Sequence, residues 1–244
     1  MTDKDSFDLV KDSSEPDKIN DYIVKVGKNP AKDNLSNLLY LWNHSPKELL
    51  DDILMNLIWA LGEYGERFSL SKPIIKDIIN YYFTSDRWIR EEILIALVKI
   101  SSNNDLPDDV QKILEYSLQD DYPSIHINSL ILTSSLKELT PELERGLIKS
   151  FATREEKILK RAEKTWRHFL QTEEEIFHLF DRNQNYRYLN KQALRNLLII
   201  SFPSLSQLES FRSLVEHSNW EANPKKMITE EIDTLENIML NTRK

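Results

Sequence analysis

The pattern that most constrains this chain is a return every 36 residues. From Asp86 to Ser101 the apolar residues Ile89, Ile93, Ala96, Leu97 and Ile100 share one helix face, while Leu94, Ile95 and Val98 cover much of the rest. A helix apolar on nearly every side must be enclosed by neighbours. One period earlier Ala60-Leu61 stands where Ala96-Leu97 stands, and one period later Ile125-His126 answers Ile89-Arg90. A fixed spacing of this size marks stacked helical hairpins, because a single hairpin cannot bury its apolar face alone.

The hairpins show a regular contrast. A helix over about 31–42 gathers Leu35, Leu38, Leu39 and Trp42 on one side, whereas the next, from Leu49 to about Tyr64, is apolar nearly all round. The same alternation follows in Ile74, Ile75, Ile78, Ile79 and Tyr82 before the Asp86 helix. It recurs in Val110, Ile113, Leu114 and Leu118 before a run from Ile125 to Leu136. Stacking produces this contrast, since each second helix lies between its own partner and the neighbouring repeats. Pro16 to Gly27 reads as a short capping helix that ends at its glycine. A fourth hairpin runs from Pro141, its second helix starting at Arg154, and Thr153 with Glu156 and Thr172 with Glu175 have capping-box spacing. Beyond 172 the period weakens, and helices are expected near 173–181, 188–200, 204–217 and 225–240.

The hairpins resemble HEAT or armadillo-type repeats over roughly residues 31–170. The residues that carry the resemblance are Asp86 and Arg90 at the start of one inner helix, Ala96-Leu97 along it, Ala60-Leu61-Gly62 with Gly65 one repeat earlier, and Pro107 and Pro141 at first helices. His126 stands where the repeat pattern has arginine, and Leu54 takes that place one repeat before Arg90. The resemblance implies an all-α superhelix, a HEAT-like helical hairpin solenoid with a helical C-terminal region. It also implies a non-enzymatic scaffold or adaptor for a protein partner. The expected division is an acidic flexible tail over 1–13, repeats over 14–171 and a helical cap or extension over 172–244.

Composition narrows the chemistry. With no cysteine there is no disulfide, thiolate metal site or cysteine nucleophile, and four glycines, at 27, 62, 65 and 146, cannot build a phosphate-cradling loop. The five histidines are too scattered for a metal site, so neither metal nor cofactor is expected. Without a signal peptide or an apolar run of spanning length, the expectation is a cytoplasmic protein with no membrane insertion. The net charge of −8 disfavours broad nucleic-acid binding. Residues 1–140 hold 15 Lys and Arg against 24 Asp and Glu, and residues 141–244 hold 17 against 16, so an anionic partner would meet the second half.

Two stretches suggest a partner surface. Arg154, Lys157, Arg161, Lys164 and His168 follow at steps of three and four, which lines up five basic groups on one helix face. The plainer reading is a solvated face balanced by Glu155, Glu156 and Glu163. The second is a row at the repeat spacing, Trp59, Ile95 and Ile131 with Asn56, Glu92 and Asn128 beside it, which could grip a peptide or helix. Its plainer reading puts Ile95 and Ile131 in the core between repeats. Some HEAT-like proteins of about this size resemble DNA alkylation-repair glycosylases. That is the enzymatic alternative, with the 154–168 face and Trp166 toward DNA, but no catalytic aspartate motif matches. Asp181-Arg182-Asn183-Gln184-Asn185 imitates the start of a calcium loop, yet Tyr186 replaces its turn glycine and Gln192 its closing acid, which argues against calcium.

Overall fold

The computed structural model describes residues 3–170, 172–182, 187 and 189–241, and all regular structure among them is helical. The fold is all-α, built from helices that pack as hairpins. It divides into two compact units, Met1–Ser135 and Leu136–Lys244, whereas the sequence places its change of organisation at 172.

In the first unit the α-helices are α1 (Asp3–Asp8), α2 (Pro16–Lys28), α3 (Leu35–His44), α4 (Lys47–Arg67), α5 (Lys72–Tyr81), α6 (Arg87–Ser101), α7 (Val110–Ser117) and α8 (Pro123–Thr133). Helices α2, α4, α6 and α8 pack side by side as an inner layer, and α3, α5 and α7 each lie against the inner helix that follows. Helix α6 starts where it does because Asp86 Oδ1 accepts the backbone N–H groups of Trp88 at 2.9 Å and Ile89 at 3.0 Å. Proline at the first turn opens α2 and α8 without loss of a helical hydrogen bond.

The inner layer is close-packed through its glycines. A Cβ on Gly62 would stand 2.9 Å from Ala96 Cα, one on Gly65 would strike Ile100, and one on Gly27 would strike the Trp59 ring. All three glycines lie inside helices, and none has positive φ. Gly27 is followed by one more residue of α2, and Gly62 and Gly65 lie within α4. They admit the neighbouring helix. For the same reason α2 is the first member of the inner layer as well as its end. Asn104, beyond α6, clasps the α4–α5 turn: its Oδ1 accepts the Leu70 N–H at 2.7 Å, and its Nδ2 donates to the carbonyls of Gly65 at 2.8 Å and Ile100 at 3.1 Å.

Within the stretch expected as a flexible tail, Asp3–Asp8 are helical and Phe7 packs on Tyr22 and Tyr40, with ring centroids 5.6 and 5.7 Å apart. Val10 is buried as well. Phe7 holds the stretch against α2 and α3 through the Tyr22 and Tyr40 rings.

The second unit holds α9 (Pro141–Lys149), a 3-10 turn over Ser150–Ala152, α10 (Glu156–Phe169), α11 (Glu173–Arg182), α12 (Lys191–Ser201), α13 (Leu205–His217) and α14 (Ala222–Asn241). Helix α12 packs on the 3-10 turn and on α14, and α13 packs on α11 and α14. The repeat spacing persists here. Arg195 of α12 donates to Glu231 of α14, exactly one period on, at 2.9 and 3.3 Å, and Glu231 is only 3% exposed. Thr172 and Glu175 form the reciprocal capping box, with bonds of 2.9 and 3.2 Å. Thr153 does not: its hydroxyl takes the Glu155 N–H at 3.1 Å, and Glu156 pairs with Lys160. No helix among the described residues is long and apolar enough to cross a membrane.

Candidate functional site

The row of α4, α6 and α8 reaches the surface. Trp59, Ile95 and Ile131 are each half-buried, as are Asn56, Glu92 and Asn128, while the positions between them, Leu57, Ile58, Ile93, Leu94, Ser129 and Leu130, are buried. The isoleucines are thus partly solvated and not wholly core. The packing of the inner helices sets this face, because the buried positions fill the layer and leave the next face outward. The indole of Trp59 lies over Gly27, which fixes where the ring stands.

The polar half of the row extends to α2. Asn56 Nδ2 donates to Asn20 Oδ1 at 2.8 Å, and Asn20 lies one further period back along the chain. Sequence reasoning missed Asn20 because it treated α2 as a cap, although the same spacing was there to find. Glu92 stands in this line of amides as a carboxylate. Its Oε1 is buried without a hydrogen-bond partner among the described residues. Burial raises its pKa above the ordinary value, Glu91 and Glu63 push the same way, and Lys99 opposes them. Lys99 is itself paired with Glu63.

In the second unit, α10 brings Lys157, Arg161, Lys164 and His168 onto one face opposite the buried Ile158, Ala162, Thr165 and Trp166. Arg154 is not part of that line, because the helix begins at Glu156 and leaves it in the preceding connection. Lys157, Lys164 and His168 are exposed, and Arg161 is half-buried, its pKa lowered by desolvation. Lys160 and Arg167 are paired within the helix to Glu156 at 2.5 Å and Glu163 at 3.1 Å. Trp166, which the glycosylase alternative needs at the surface, is fully buried: its indole N–H donates to Ser201 at 3.1 Å and its ring meets Phe151 edge-on.

Of the calcium-like stretch, residues 183–186 lie outside the described residues. Asp181 accepts the Trp220 indole N–H at 2.9 Å and stands 3.5 Å from Arg187. Among the described residues no group of three His, Asp or Glu could hold a metal ion.

No protein-family model matches the chain, and no curated protein matches its sequence. Among solved structures it is similar in fold to an engineered protein, at 11% identity and a TM-score of 0.49 over 96% of this chain and 98% of that one. It is also similar to computationally designed armadillo repeat proteins for modular peptide recognition, at 13% identity and a TM-score of 0.45 over 91% of this chain and 95% of that one.

Proposed function

We propose that this chain is a non-enzymatic helical-repeat scaffold that binds an extended segment of a partner protein along α4, α6 and α8. The observation that carries the proposal is the half-buried row, in which three large apolar side chains and three polar ones recur at equivalent places on consecutive inner helices. Packed helices stand about 8–10 Å apart, and an extended chain advances about 3.3 Å per residue. In an extended segment with three residues per turn, of the polyproline-II kind at about 3.1 Å per residue, every third side chain returns to one face, and one partner side chain in three would then meet Trp59, Ile95 and Ile131 in turn. Asn56 and Asn128 each offer a donor and an acceptor to the partner's backbone between those anchors. Glu92 supports the reading, since a perturbed and partly unsatisfied carboxylate in an otherwise neutral row is more characteristic of a functional surface than of a core. The rigid layer beneath keeps the ordering cost of binding small. The basic face of α10 is flanked by Lys160 and Arg167, which are already paired within the helix, and it carries less of the proposal.

Selection of displayed random dodecapeptides on the full chain, followed by calorimetry on the enriched sequence, tests the assignment. Trp59→Ala with Ile95→Ala should weaken binding at least tenfold, about the loss of one aromatic and one aliphatic anchor. Lys157→Glu with Lys164→Glu should leave it within a few-fold. The reverse pattern moves the site to α10.

A further inference from the structure

A second surface lies on the ridge formed by the turns that precede α6 and α8. Phe83, Trp88 and Tyr116 are each more than half exposed, at 54, 55 and 56%. Phe83 and Tyr116 stand with ring centroids 6.2 Å apart, and Trp88 meets Tyr122 at 6.4 Å. Aromatic rings at these exposures recover little of their burial energy within the chain and are the residue types that dominate binding hot spots.

The charges beside the rings give the surface a sign. A cleft of about 410 Å³ is lined by Arg90, Tyr116, Gln119, Asp120 and Asp121. Arg90 is neutralised by Asp120 at 3.4 Å, and Asp120 also accepts the Tyr122 N–H at 2.9 Å. Asp121 is exposed and has no cation within ion-pair distance among the described residues, so the cleft is left with one net negative charge. The unit around it is acidic too, with 14 Lys and Arg against 23 Asp and Glu over residues 1–135. The ridge already handles one guanidinium: Arg87 lies 4.6 Å from the Trp88 ring centre and 4.5 Å from that of Tyr122.

We propose that this ridge is a docking surface for a basic segment of a partner protein, whose arginine or lysine side chain lies against Tyr116 and Phe83 and pairs with Asp121. The stem of such a side chain covers ring surface while its head meets the carboxylate, and a neutral or acidic segment gains neither the cation–π contact nor the ion pair. This surface is separate from the row of Trp59, Ile95 and Ile131.

The test is a titration of the nitrogen-15-labelled full chain with three capped heptapeptides that carry arginine, citrulline or glutamate at alternate positions. The arginine peptide should shift the amides of Phe83, Tyr116 and Asp121, and its affinity should fall as salt rises. Asp121→Asn with Tyr116→Ala, both exposed sites, should weaken it roughly tenfold. Asp121→Asn alone should weaken it by a few-fold. The proposal is overturned if the arginine peptide shifts no amide between 83 and 122, if citrulline or glutamate peptides bind as well, or if the shifts fall only on the α4, α6 and α8 row.

Discussion

Arg195→Met should be among the most damaging single changes in the second unit. Glu231, its partner one period on, is 3% exposed and takes both guanidinium bonds, at 2.9 and 3.3 Å. Removal of one partner from a buried ion pair costs about 3–5 kcal/mol, because a charge is left without compensation in low dielectric. The Arg195 side chain is 40% exposed, so water can partly replace it and the low end, about 3 kcal/mol, is expected. Arg195→Met with Glu231→Leu removes both charges and keeps apolar volume, which should return stability to within about 1 kcal/mol of the original. Urea unfolding, followed by far-ultraviolet circular dichroism and tryptophan fluorescence, measures all three chains. A loss below about 1 kcal/mol for Arg195→Met, or a double variant as unstable as the single one, would refute the argument.

Glu92→Gln should stabilise the fold at pH 7. The folded pKa of Glu92 lies above its ordinary value of 4.5, so the native state holds its proton longer than the unfolded chain. Its penalty is absent below the unfolded value, grows between the two and is complete above the folded one. The advantage of the glutamine should therefore vanish in denaturation curves taken below about pH 4. Asn104→Ala should cost about 2–3 kcal/mol in the same assay, since it strands the Leu70 N–H and the Gly65 carbonyl. A loss under about 0.5 kcal/mol would mean that water replaces the clasp.

The fold was legible where local chemistry and periodicity agree. Asp86 announces a helix start by its side chain alone, and α13, expected over 204–217, runs from Leu205 to His217. The compact units part between Ser135 and Leu136, and beyond 172, where the apolar period weakens, Arg195 and Glu231 still pair at the 36-residue spacing. A charged pair carries no apolar signature, so hydrophobic periodicity passes over it. The role of the glycines was hidden for a related reason. Gly62 looks the same in sequence whether it ends a helix or faces a neighbour, and only Ala96, a small residue on the next inner helix, decides the matter.

The periodic places of the Trp59, Ile95 and Ile131 row were legible in the sequence, and their exposure was not. An isoleucine at a periodic place on an apolar helix reads as core, and Ile95 and Ile131 do so until the packing of α4, α6 and α8 shows which face is left outward. Glu92 is the clearest case of what packing adds. Asparagines hold the equivalent positions one repeat to either side, Asn56 and Asn128, and Asn56 is paired to Asn20. A neutral amide at 92 would avoid both the desolvation of a carboxylate and its repulsion by Glu91 and Glu63. Lys99 gives back part of this cost, and burial outweighs it. A carboxylate disfavoured by its burial, with one buried oxygen left unbonded, has more to gain from a partner's hydrogen-bond donor than the exposed lysines of α10 have from an anion, which is why Glu92 weighs more in the proposed interface.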